Sequence, residues 1–190
     1  MHLDPRSPLV LDTRELGRRP GAMATISRTI DAPDDVGTDV ISVPAGTEMQ
    51  LELRLESVME GVLVSGSVTA EAVGACVRCL EEVRVPIDVD FQELFVYVDR
   101  AVHADEVGDP EEDRLGLDGD LADLDPVLRN AVVPALPFQP VCREDCPGLC
   151  SECGALLADD PTHHHEVLDP RWAALAAMAD EPTDTDEKRN

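Results

Sequence analysis

Six cysteines carry the clearest chemistry in this chain, and they fall in three close pairs: Cys76/Cys79, Cys142/Cys146 and Cys150/Cys153. The pattern reads C-x2-C, sixty-two residues, then C-x3-C-x3-C-x2-C. Two residues between cysteines make a turn that aims both sulfurs at one point, where zinc holds thiolates in a tetrahedron at ~2.3 Å. Gly154, after Cys153, permits the left-handed backbone that such a knuckle needs. His163 and His165 follow, and in an extended segment their alternate spacing puts both imidazoles on one side. The eight residues Cys76, Cys79, Cys142, Cys146, Cys150, Cys153, His163 and His165 are therefore the expected ligands of structural Zn2+, one ion or two.

Two groupings of these ligands are open. In the first, Cys76/Cys79 meets Cys142/Cys146, and Cys150/Cys153 pairs with the histidines in a Cys2His2 site. In the second, the four cysteines from 142 to 153 share one ion and Cys76/Cys79 is spare.

Enzymatic readings fit less well. A redox C-x2-C opens a helix, whereas Cys76 follows a strand-like run. His164-His165-Glu166 contains H-x-E, but zinc deaminases place that motif before P-C-x-x-C, and here the order is reversed. A catalytic zinc keeps an open position, whereas this many ligands would fill theirs. The chain reads as a non-enzyme, with a metal-dependent hydrolase or deaminase as the rival.

The elements that must position these groups are mostly strands. Met49, Leu51, Leu53 and Leu55 alternate with Gln50, Glu52, Arg54 and Glu56, and Val83 to Phe91 repeats that period of two. Val62 to Ala72 is rich in Val, Ser and Thr, with turns expected at Glu60-Gly61 and Gly74. Residues 39–98 thus predict a β-rich core, with Cys76–Cys79 at a tight connection between two of its strands. Leu11–Leu16 predicts a short helix stopped by Gly17. Asp125-Pro126 predicts a helix with Asp125 as N-cap, lined by Leu124, Leu128 and Val132 and ended by Pro134 and Pro137. Another short helix is expected after Asp169-Pro170, with Trp172 and Leu175 on one side. Residues 99–125 hold eleven acids and read as a solvated loop. The expected fold is α+β: an antiparallel β-meander or partly open barrel with short flanking helices and a cysteine-rich zinc-knuckle segment. One domain spans residues 1–178, comprising an arginine-rich start (1–30), the β-rich core, the acidic loop and a closing segment (126–178). A disordered tail takes 179–190.

The net charge of −25 limits the partners. Residues 1–30 are net +2, so the remainder carries −27. Such a body repels phosphate backbones and attracts basic proteins. Only the start, at Arg14, Arg18 and Arg19, offers a nucleic-acid contact. No secretory leader opens the chain and no segment approaches the ~20 apolar residues of a membrane span. The expected compartment is the cytoplasm, where thiols stay reduced. The sequence leaves oligomeric state open.

The run Ala135-Leu136-Pro137-Phe138, followed by Cys142-Arg143-Glu144-Asp145-Cys146-Pro147-Gly148-Leu149-Cys150-Ser151-Glu152-Cys153-Gly154, resembles the C-terminal signature of the YceD family. Cys76-Val77-Arg78-Cys79-Leu80-Glu81 resembles its upstream knuckle, and Asp169 to Leu175 its closing helix. Leu11 to Leu16 is similar to the start of high-GC Gram-positive members. The resemblance implies a factor in biogenesis of the large ribosomal subunit, linked to 23S rRNA synthesis, processing or accumulation. Its implied partners are a basic ribosomal protein or a pre-ribosomal particle. The zinc-ribbon protein bL32, whose gene commonly neighbours that of the family, is one candidate. Some relatives carry C-x-C where this chain has His163-His164-His165, which implies histidine ligation here. Others retain only the equivalents of Cys76/Cys79 and an element near Cys142/Cys146, which implies the first grouping. A zinc-stabilised interaction scaffold in another pathway is the alternative.

Overall fold

A computed structural model describes residues 3–34, 36–97 and 115–165. The chain divides into two compact units, 1–146 and 147–190.

The first unit holds a six-stranded antiparallel sheet, a separate two-stranded antiparallel ladder of its first and last strands, and one helix. Its strands are β1 (Val10–Asp12), β2 (Met23–Asp31), β3 (Val36–Gly37), β4 (Ile41–Val43), β5 (Glu48–Ser57), β6 (Gly61–Ala75), β7 (Glu82–Val96) and β8 (Leu121–Asp123). Helix α1 spans Asp125–Ala135. Strand β6 is the spine: β7 pairs along one edge over all fifteen residues, while β5 and then β4 share the other. Outside these lie β2, against β5, and β3, against β4. Among the described residues β2 and β7 do not pair with each other, so the meander reading holds.

Alternation sets the faces. Met49, Leu51, Leu53 and Leu55 of β5 and Val62, Val64, Val68, Ala70 and Ala72 of β6 point into the core. They join Ile87, Phe95, Leu124 at the start of the helix and the helix residues Val127, Leu128 and Val132. Each large side chain buried this way stabilises the fold by roughly 1.5–3 kcal/mol. The opposite face carries Glu52 and Arg54 on β5, Ser65 and Ser67 on β6, and Asp88, Asp90 and Gln92 on β7, none of them buried.

Several expectations need correction. Residues 11–16 are not a helix. Leu11 is fully buried in β1 and pairs with Ala122 of β8, so a long-range ladder overrides local propensity. Both the amide and Oγ1 of Thr13 donate to the Asp120 carbonyl, and a turn follows. The acidic stretch is consequently not all loop: it contains β8, while residues 98–114 lie outside the described residues. The β-rich region begins earlier than residue 39, because β2 occupies the end of the arginine-rich start and Arg28 of β2 donates to the Pro8 carbonyl. Gly74 is no turn but a strand residue of β6. A Cβ there would stand 2.5 Å from the Val40 carbonyl oxygen and 2.7 Å from the Ile41 side chain, so glycine lets β4 approach. The N-cap of α1 is Leu124, and the carboxylate of Asp123 accepts the Asp125 amide. Pro134 lies inside α1, which runs one residue further. The helix expected after Asp169-Pro170 and the tail 179–190 lie outside the described residues.

Candidate metal centres

The hairpin between β6 and β7 turns through Cys76–Glu81. The Leu80 amide donates to the Cys76 carbonyl at 2.9 Å, and the Cys76 amide to the Glu81 carbonyl at 2.8 Å. This closed loop aims Sγ of Cys76 and Cys79 to one side. From the end of α1 the chain bends back, and the Val77 amide bonds the Pro140 carbonyl at 2.9 Å. A tight turn with the Cys146 amide on the Arg143 carbonyl then presents Cys142 and Cys146. Arg78 fastens that turn, its Nη1 donating to the carbonyls of Glu144 (3.1 Å) and Cys146 (3.0 Å).

The four ligand atoms lie within 4.8 Å of one another. Cys76 Sγ is 3.9 Å from Cys146 Sγ, and Cys79 Sγ is 3.6 Å from Cys142 Sγ. A zinc tetrahedron with ~2.3 Å bonds has edges of ~3.8 Å, so the donors fit zinc as they stand. All six cysteines are free thiols. Cys76, Cys79 and Cys146 are buried and Cys142 is exposed.

Burial would raise the Cys76 thiol, but the amides of Cys142, Cys79 and Arg78 outweigh it and lower its pKa to about 6. Cys79 goes the other way. The Glu81 amide lowers it, yet burial and hydrogen bonds to the other three thiols push it up to about 12. Cys142 is raised by its hydrogen bond to Cys146 and by burial. Crowded without a cation, Cys79 and Cys142 are held toward the thiol while backbone amides favour the Cys76 thiolate; a divalent ion would favour the thiolate at each ligand.

The second unit repeats the knuckle. The Gly154 amide donates to the Cys150 carbonyl at 2.9 Å and the Cys150 amide to the Ala155 carbonyl at 2.8 Å. A bridge between Leu149 and Leu156 holds its base. The amides of Cys153 and Glu152 lower the Cys150 thiol pKa. His163 Nε2 and His165 Nε2 each lie 3.2 Å from Cys153 Sγ and 2.9 Å from each other, with the rings edge to face. Cys150, Cys153, His163 and His165 form a second group within 4.8 Å. His164 turns away, its Nδ1 3.0 Å from the Thr162 carbonyl. These contacts are a few tenths of an ångström tighter than a zinc tetrahedron of mixed S and N donors, which a small opening of the rings corrects. Cys153 and His165 are exposed.

The structure thus brings together all eight sequence-predicted residues, in two groups of four. Cys142 through Cys153 do not share one site. The arginines of the start belong to neither group. Arg14 pairs with Asp12, Arg18 reaches Asp120 at 3.4 Å and lies 4.6 Å over the Tyr97 ring, and Arg19 is exposed. Sequence reasoning missed Arg78 as the clamp and Leu80 as the knuckle's left-handed residue, at φ 63°. The signal for Leu80 is its position after the second cysteine, where the other knuckle has Gly154.

Residues 64–179, which contain both groups, match the family described as "Large ribosomal RNA subunit accumulation protein YceD". The chain belongs to this family. It is also similar to uncharacterised proteins of Mycobacterium tuberculosis and Mycobacterium bovis, 47% identical over 94% of this chain and 85% of theirs. A Mycobacterium leprae protein is 43% identical over 90% of this chain and 78% of its own. No solved structure matches the chain significantly. No helix among the described residues is long and apolar enough to cross a membrane.

Proposed function

We propose that this YceD protein is a non-enzymatic, cytoplasmic assembly factor for the large ribosomal subunit, supporting accumulation of 23S rRNA, with one structural Zn2+ in each four-ligand group. Family membership carries the process. Support for a structural metal comes from the ligand count. Each group offers four protein donors, a closed set, whereas catalytic zinc keeps three and a water.

The acidic body would receive a basic partner, a ribosomal protein such as bL32 or a pre-ribosomal particle, in a fast and salt-sensitive encounter. Arg14, Arg18 and Arg19 would supply a phosphate contact. Because Arg14 and Arg18 already face carboxylates, Arg19 is the first to substitute.

Depletion in the source cell tests the reading: 23S rRNA precursors should accumulate and mature large subunits fall. Unchanged rRNA with full depletion would refute it. Metal analysis of untagged protein should give two zinc per chain.

A further inference from the structure

The first knuckle holds its shape with a residue unsuited to it. Leu80 has the only positive φ of any non-glycine among the described residues, at 63°, where the matching position of the second knuckle is Gly154 at 73°. Both make the same pair of backbone hydrogen bonds, so the loop needs a left-handed residue and glycine serves. Leucine gains no burial in exchange, because 68% of it is exposed. Backbone strain and an exposed apolar side chain on one residue point to a role outside the fold.

Leu80 is not isolated. Val77, on the same knuckle, is 44% exposed, and Phe138 is 93% exposed two residues before Pro140, whose carbonyl bonds the Val77 amide. Half of the exposed large hydrophobic residues of the described chain therefore belong to this knuckle and the segment that flanks it. Exposed Glu81 follows Leu80 directly, and Arg78 holds the turn that carries exposed Glu144; Glu82 and Asp145 lie beside these two and are paired with Arg84 and Arg143. A zinc ion held by four thiolates adds further negative charge. The neighbouring arginines are engaged: Arg78 with two carbonyls, Arg84 with Glu71 and Glu82, Arg143 with Asp145.

We infer that Val77, Leu80 and Phe138 form a docking surface for a basic polypeptide segment that presents a large apolar residue between lysines or arginines. The apolar residue of the partner contacts the three side chains, and its cations face the acidic rim. The choice of a polypeptide over RNA follows from the charge, and the partner's place in ribosome assembly rests on the function proposed above. The knuckle then has two tasks: its sulfurs hold the metal, and its outer side chains meet the partner.

The test uses full-length, zinc-loaded protein and a fluorescein-labelled synthetic peptide with a central Leu-Phe pair flanked by lysines and arginines. A control peptide carries Ser-Ser at the centre, and anisotropy is read at low and moderate salt. The apolar-centred peptide should bind more tightly than the control, and Leu80→Gly and Phe138→Ser should each weaken it about tenfold. Leu80→Gly should keep both zinc ions and melt no lower than the wild type, because glycine suits the backbone there. Wild-type binding by both variants would overturn the inference. So would loss of zinc or stability in Leu80→Gly, which would make the leucine a structural part of the knuckle. An rRNA hairpin that binds wild type and is weakened by the same variants would overturn it in favour of nucleic acid. A wild-type dimer that these variants dissociate would overturn it in favour of self-association. In a depletion strain, the double variant should restore protein level but not 23S rRNA. Full rescue sinks the docking surface and leaves the assembly role intact. If depletion itself leaves rRNA unchanged, the assembly role fails while the peptide result stands.

Discussion

The two ligand groups share a knuckle and differ in how far the chain travels to complete it. In the first, Cys76 meets Cys146 across 70 residues and Cys79 meets Cys142 across 63. In the second, Cys153 finds His163 and His165 at separations of 10 and 12. The first is buried at three of its four ligands, and the second is half open to solvent. A local site can fold around its ion as a small zinc module does, and its loss need not travel. A site that closes a 63-residue excursion fixes the end of the β6–β7 hairpin to the chain beyond α1. Among the described residues the Arg78 clamp, the Val77 amide on Pro140 and the Cys142 amide on the Cys76 sulfur fasten the same contact.

The strongest break in this comparison is Cys79→Ser. It removes a buried ligand of the first group and should cost one zinc and roughly 10 °C or more in melting midpoint. Cys153→Ser, in the exposed group, should also cost one zinc but move the midpoint of the sheet by less than about 3 °C. Native mass spectrometry with thermal melts checks both. Equal shifts would mean that the second group supports the first unit, contrary to its local construction.

Chelation sharpens the same contrast kinetically. With a chromogenic chelator the metal should leave in two phases, the exposed group first, and Cys153→Ser should abolish the fast phase. The proton balance should differ as well. In the first group Cys79 and Cys142 are raised, so they are protonated at neutral pH and must release their protons to bind zinc. Cys76, lowered to about 6, is already a thiolate there. Zinc uptake by the first group should therefore release at least two protons, and the affinity should fall as the pH drops. The second group has only two thiols, one of them lowered, and should release fewer. Calorimetry of Cys153→Ser and Cys79→Ser in buffers of different ionisation enthalpy reads both numbers.

How much of this was legible depends on whether the signal is local. The C-x2-C spacings, the alternation of β5 and β7 and the proline-led helix α1 are written in neighbouring residues, and they could be read. Leu11 as a strand residue could not, because only its partner Ala122, far along the chain, makes β1 preferable to a helical turn. Gly74 misled for a similar reason: a glycine signals a turn or a close approach, and only β4 decides between them. The ligand grouping was open because spacing constrains pairs, not which pairs meet. The hairpin register Ala75↔Glu82 and the Val77–Pro140 bond settle the encounter, and neither is visible in composition.

The smallest effect isolates the knuckle itself. Gly154 has nothing within 4 Å of where a Cβ would stand, so a side chain there meets only the cost of φ 73°. For an L-residue that cost is about 1–2 kcal/mol. Gly154→Leu should thus weaken zinc binding in the second group by roughly five- to thirtyfold without any clash, measured by competition with a chelator of known affinity. The reciprocal Leu80→Gly should strengthen the first group or leave it unchanged. If Gly154→Leu binds zinc as tightly as wild type, the left-handed turn tolerates leucine freely. Leu80 would then carry no strain, and its exposed side chain would have to be explained by contact alone.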